Sequence, residues 1–131
     1  GQGQFIAPTI FTGVNNAMRI AREEVFGPVV CVIPFDTVEE ALEIANDTEF
    51  GLAAAVWTRD LHRALYFVDR LKAGTVWVNN YRSTSFTTPF GGYTRSGLGR
   101  EGGTEASKEY LQQKSVWIST RPNRANPFVL G

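Results

Sequence analysis

Two carboxylates, an aromatic ring and a Gly-Pro turn stand within the six residues Glu23-Glu24-Val25-Phe26-Gly27-Pro28. An ionised carboxylate only accepts hydrogen bonds, so Glu24 suits a ligand edge that offers hydrogens. Pro28 has no amide hydrogen and disfavours helix at Gly27, so a helix arriving from upstream must stop there. The run that follows, Val29-Val30-Cys31-Val32-Ile33, reads as a strand buried on both faces. Glu24 and Phe26 therefore sit on a bend where helix becomes strand. With no ligand, the same residues read as a helix end with an exposed acid and a buried ring.

The other reactive side chains are few. Cys31 is the only thiol and lies among apolar residues with no base beside it, so it reads as a small buried hydrophobe. His62 is the only histidine and falls on the polar side of a helix. One histidine and one core cysteine assemble neither a metal cluster nor a Ser-His-Asp set, so no metal is expected. Glu101 stands beside Arg100 in a glycine-rich stretch, where it reads as an exposed ion pair or as a general acid or base. Gly97-Leu98-Gly99-Arg100-Glu101-Gly102 matches Gly-x-Gly-x-x-Gly literally. That fingerprint needs a strand directly before it and an acid about 20 residues beyond it, and both are missing.

The elements that must position these residues follow from hydrophobic period and punctuation. Phe5 to Phe11 reads as a short strand interrupted by Pro8. Asn15 or Asn16 caps a helix expected to run to about Glu24. Thr37-Val38-Glu39-Glu40 has capping-box spacing and opens a helix ending near Asn46-Asp47. Phe50 to Trp57 reads as one central strand, followed by a helix capped by Asp60 with Leu61, Ala64, Leu65, Val68 and Leu71 inward. Gly74 stops that helix, and Thr75 to Asn79 is the next strand. Alternating strands and helices with short connections predict an α/β fold, a mostly parallel sheet with flanking helices. Residues 80–103 lose all periodicity yet keep Tyr81, Phe86, Phe90 and Tyr93, so an ordered, functional loop is expected. A short helix over 104–112 and a last strand at 115–119 complete the first unit, 1–120. Residues 121–131 form an extended tail.

Bulk properties narrow the function classes. The chain has 131 residues, 43% hydrophobic and 20% charged, so one domain with its own core is expected. A formal charge of zero offers no electrostatic attraction to nucleic acid or an anionic membrane. No apolar run approaches the roughly 20 residues that span a bilayer. A single cysteine and the lack of a signal-like start at Gly1-Gln2-Gly3-Gln4-Phe5 point to a cytoplasmic protein.

Five ordered motifs carry a resemblance. They are Gly3-x-Phe5-Ile6-x-Pro8-Thr9, Glu23 to Val29, Phe50-Gly51-Leu52-Ala53-Ala54, Ala73-Gly74-Thr75-Val76-x-Val78-Asn79, and Pro89-Phe90-Gly91-Gly92 with Ser96-Gly97-x-Gly99-Arg100-Glu101. Together they resemble the C-terminal part of the catalytic domain of NAD(P)-dependent aldehyde dehydrogenases, over about Gly3 to Thr120. The resemblance implies a partial catalytic domain ending in a strand of a small oligomerisation sheet, and a homo-oligomer (dimer or tetramer). It implies NAD or NADP as cofactor and oxidation of an aldehyde to an acid through a cysteine thiohemiacetal and thioester. Glu24 resembles the glutamate that holds the nicotinamide-side ribose, and Phe26 the aromatic against the nicotinamide. Phe90 resembles a pocket-lining aromatic, and Glu101 a glutamate proposed in a proton path. Arg82, Ser83 and Thr84 fall where the family varies its substrate pocket, and they are polar here. The family's nucleophilic cysteine, general-base glutamate and Rossmann domain belong upstream of Gly3. The chain alone is therefore expected to be an inactive fragment, or else a free-standing assembly module.

Overall fold

Thr9 follows Pro8 directly as the first paired residue, because proline can lead into a strand but cannot donate to its ladder. The computed structural model of the chain describes residues 3–120. Strand β1 (Thr9–Phe11) pairs in parallel with β2 (Val29–Cys31), Thr9 opposite Val29 and Phe11 opposite Cys31. Between them lies a single-turn helix, α1 (Arg19–Arg22). Helix α2 (Val38–Asn46) leads to β3 (Phe50–Gly51) and β4 (Ala53–Val56). Helix α3 (Leu61–Arg70) then connects β4 to β5 (Thr75–Val78), which pairs with β4 in parallel over four residues. Strand β6 (Tyr93–Thr94) pairs antiparallel with β3, and Thr104–Tyr110 forms a 3₁₀ helix.

The α/β class and the parallel strand–helix–strand units match expectation. The caps do as well. Thr37 Oγ1 accepts from the Glu40 amide at 3.1 Å, and Asp60 Oδ1 accepts from His62 and Arg63 at 2.8 and 3.1 Å. Glu40 reaches back to the amide of Asp36 at 2.7 Å, one residue short of the reciprocal bond in a capping box.

Four expectations are corrected. Among the described residues the strands form three two-stranded pairs rather than one sheet. Phe50 to Trp57 is not one strand, because Gly51 turns to a different partner. A Cβ there would lie 2.7 Å from Lys72 O and 3.0 Å from Tyr93 Cβ, so only glycine lets β6 approach. The helix expected from Asn15 or Asn16 starts later. Asn15 Oδ1 accepts from the Ala17 amide at 2.9 Å in a local turn, and Met18 caps α1 without a side-chain bond. No strand forms at 115–119, where Val116, Trp117 and Ile118 are exposed and pair with no strand among the described residues. The expected tail lies outside the described residues.

The expected core is also largely missing. Among the described residues only Val14 and Ala64 are buried apolar side chains. On α3 the stripe facing α2 and β4 is Ala64, Phe67 and Leu71, of which Phe67 and Leu71 line an apolar hollow with Val38, Ala41 and Ala55. Leu61, Leu65 and Val68 occupy the neighbouring stripe and are exposed. Two short strands offer one surface to a helix, too narrow to cover both stripes.

Candidate functional site

The bend from Glu23 to Gly27 is held from its two ends. Upstream, the Glu23 amide closes α1 on Arg19 O at 3.0 Å, and the chain then becomes extended. Downstream, Thr9 N donates to Pro28 O at 2.8 Å and Val29 N to Gly27 O at 2.7 Å. Glu24, Val25 and Phe26 make no backbone hydrogen bond among the described residues. Phe26 has φ +52°, a left-handed conformation that costs a bulky residue about 1–3 kcal/mol. Its ring is 92% exposed rather than buried, which corrects the ligand-free reading of these residues. The Glu24 carboxylate likewise has no partner among the described residues. Glu24 lines two depressions, of about 510 and 460 Å³, and Phe26 shares the smaller one with it.

A side-chain cluster missing from the sequence analysis fixes the upstream end. The Arg22 guanidinium donates to Asn16 O at 2.5 Å, to Asp47 O at 2.9 Å and to Asp47 Oδ2 at 2.8 Å. Asn16 Nδ2 adds bonds to Ile44 O at 2.9 Å and to Asp47 Oδ2 at 3.1 Å. Arg22 and then Asn16 hold the Asp47 carboxyl below its ordinary range. Side chains 25 and 31 residues from Asp47 meet at the end of α2, a separation no local spacing rule predicts.

The glycine-rich loop is ordered by backbone contact. Phe90 and Glu101 exchange both backbone hydrogen bonds at 2.7 Å, so two residues singled out separately form one bridge. A Cβ on Gly74 would lie 1.7 Å from Gly91 O, so the loop rests directly on the start of β5. Gly102, at φ +67°, would place a Cβ 2.7 Å from Thr88 O. At Gly74 and Gly102, then, the missing side chain lets two backbone segments meet. Arg100 donates to Gly92 O and Gly99 O at 2.9 and 2.6 Å and makes no ion pair with Glu101. Glu101 and Phe90 line a depression of about 330 Å³. Leu52 and Ser96 line both this depression and the larger one at Glu24, so the two candidate regions share a rim.

Arg82, Ser83 and Thr84 lie apart on an exposed turn after β5. Trp77 Nε1 donates to Ser83 O at 2.8 Å, and the Ser83 hydroxyl bonds the Asn80 side chain. None of the three lines a depression with Glu24, Phe26, Phe90 or Glu101. Cys31 is half-buried, its thiol 3.7 Å from Ile20 O, and His62 is exposed as its helix face requires. Among the described residues no group of three or more metal-binding side chains converges, and no helix is long and apolar enough to cross a membrane.

The aldehyde dehydrogenase family model matches residues 1–116. The chain belongs to the aldehyde dehydrogenase family. It is 53% identical over 117 residues to the putative aldehyde dehydrogenase DhaS of Bacillus subtilis. That match covers 89% of this chain and 24% of DhaS. It is also 53% identical to a betaine aldehyde dehydrogenase of Mesorhizobium japonicum, over 90% of this chain and 24% of that protein. Solved relatives agree. An indole-3-acetaldehyde dehydrogenase mutant from P. syringae, in complex with NAD+ and IAA, superposes with a TM-score of 0.82 at 56% identity over 87% of this chain and 23% of its own. A Staphylococcus aureus betaine aldehyde dehydrogenase in complex with NAD+ gives 0.86 at 45% identity over 96% and 25%. The chain thus spans about a quarter of the length of these family members.

Proposed function

We propose that these residues are the C-terminal portion of the catalytic domain of an enzyme that oxidises an aldehyde to a carboxylic acid with NAD or NADP. The observation that carries this reading is the bend, where an unpartnered carboxylate and an exposed ring stand two residues apart in a member of this family. The fit to a nicotinamide nucleotide is chemical. Two carboxylate oxygens match two vicinal ribose hydroxyls, both donors, and the Phe26 ring offers a flat apolar face. When bound, the nucleotide accepts the hydride. Glu24 orients the ribose, Phe26 packs against the ring, and Phe90 shapes the substrate side. Glu101, bridged to Phe90, is assigned to a proton path, and Arg82, Ser83 and Thr84, on a separate exposed turn, to the outer side of the aldehyde entrance, both on the motifs alone. By the family resemblance the nucleophilic cysteine and general base are assigned outside the 131 residues, and Cys31, half-buried on β2, is not taken as the nucleophile. Without a thiolate the oxidation cannot begin. A single cysteine fits a cytoplasmic setting.

The test is NAD(P)H formation with a panel of aldehydes, by the full-length polypeptide and by the 131-residue chain. Turnover by the first and none by the second is expected. Absence of turnover by the full-length enzyme overturns the reading. Turnover by the chain alone that disappears in Cys31→Ser overturns the assignment of Cys31. A second role, assembly into a dimer or tetramer, is favoured by the exposed, unpaired Val116-Trp117-Ile118 segment. A strict monomer in sedimentation at high micromolar concentration argues against it.

A further inference from the structure

We propose that Arg22, locked to Asp47 and Asn16, is a positioning residue that sets the dinucleotide affinity of the bend two residues downstream. This rests on the reading of Glu24 as the ribose-binding carboxylate. Glu24 to Phe26 have no backbone hydrogen bonds of their own among the described residues, so their placement depends on what fixes each end. Downstream that is the β1–β2 pairing. Upstream, α1 is a single turn with no side-chain cap, too short to hold its own position. The Arg22 fork supplies the missing anchor, because three acceptors on two separate segments converge on one rigid planar group. One of those acceptors is the backbone carbonyl of Asp47, the C-cap of α2, so the fork reads the position of the α2 terminus itself, and the Asn16 carbonyl ties it to the turn before α1. Arg22 and Glu24 line the same depression as Ala45 and Asn46 of α2. A shift of the α1 end relative to α2 therefore moves Glu24 across that depression.

Lysine keeps the charge but offers one point donor group in place of the fork, so Arg22→Lys loosens the anchor without removing the cation. NAD+ is titrated calorimetrically into four full-length proteins: unmodified, Arg22→Lys, Glu24→Gln and the double variant. If Arg22 acts through Glu24, Arg22→Lys weakens Kd about fivefold alone and less than twofold beside Glu24→Gln. In kinetics the KM for NAD+ rises while the KM for the aldehyde stays within about twofold. Equal losses on both backgrounds, or an unchanged Kd in Arg22→Lys, overturn the proposal while leaving the role of Glu24 standing. An unchanged Kd in Glu24→Gln overturns both. Should Arg22→Lys fail to fold, Asp47→Asn replaces it, since it removes one charged acceptor and leaves the carbonyl. The same non-additivity with Glu24→Gln is expected.

Discussion

The β4–α3–β5 unit and the Glu23–Gly27 bend are built on opposite plans. In the first, a capped helix joins two parallel strands whose four-residue register makes its own hydrogen bonds. In the second, three successive residues make none, and one of them has a left-handed backbone. The regular unit is held by its own cap and its own ladder. The bend depends on remote residues, chiefly Arg22 to Asp47 and Thr9 to Pro28. At the bend the Glu24 carboxylate has no partner among the described residues and the Phe26 ring is exposed. The two regions should therefore fail differently: damage to the regular unit costs stability, and damage to the bend costs binding and turnover.

The largest effect is expected where the regular unit supports the glycine loop. Gly74→Ala places a methyl 1.7 Å from Gly91 O, a backbone atom that cannot rotate away. Strand β5 or the loop must move, at a cost above the roughly 3 kcal/mol usual for overpacking. Urea unfolding of the full-length protein should show a large drop in midpoint, or the variant should not accumulate in soluble form. A midpoint within experimental error of the parent would mean that the loop does not rest on β5.

Glu24→Gln breaks the comparison from the other side. The amide keeps the shape and weakens a charge-assisted hydrogen bond by about 1 kcal/mol or somewhat more, roughly tenfold in the step that depends on ribose position. Hydride transfer from the thiohemiacetal, which yields the thioester, is geometry-sensitive, whereas addition of the thiol to the aldehyde needs no acceptor in register. A larger isotope effect with a deuterated aldehyde, at unchanged melting temperature, is the expected result. A loss of turnover explained entirely by lowered stability would return Glu24 to a structural role.

Much of the regular unit, and the start of α2, was legible in the sequence because the rules there are local. Asp60 and Thr37 declared their caps at fixed offsets, and the Thr75–Val78 strand declared itself by β-branched residues after Gly74. The bend was legible only as a place, through Pro28. What fixes it was hidden, since Arg22, Asn16 and Asp47 meet across a long stretch of chain. The division of residues 50–57 between two partners was hidden for the same reason. Gly51 reads as a weak strand residue until Tyr93 is seen beside it. The exposed stripe on α3 reflects the limited surface its two-strand pair provides. Periodicity identified apolar positions without distinguishing those covered within these residues from those left open.

Thr37→Ala, at the start of α2, should show a smaller effect confined to stability. Losing the bond to the Glu40 amide removes one cap, worth about 1 kcal/mol. The denaturation midpoint should fall while KM for NAD+ and kcat stay unchanged, and any kinetic change would argue that α2 transmits to the bend as strongly as its terminus does.

Acidification gives the smallest effect and sets the two regions against each other through two carboxyls. Asp60 is held below its ordinary pKa by the amides of Arg63 and then His62, and Asp47 by Arg22 and then Asn16. A lowered folded-state pKa means that the stabilisation is complete above the ordinary value of 3.8 and is lost as pH falls through the lower folded value. Both groups face water, so the contributions are screened and small. In Asp60→Asn the stability difference from the parent should shrink below pH 3.8, with NAD+ affinity at neutral pH untouched. In Asp47→Asn the stability difference should shrink over the same range, but NAD+ affinity at neutral pH should already be reduced. Equal affinities in the two variants at neutral pH would mean that the clamp and the cap do the same work, and the distinction between the regions would fall.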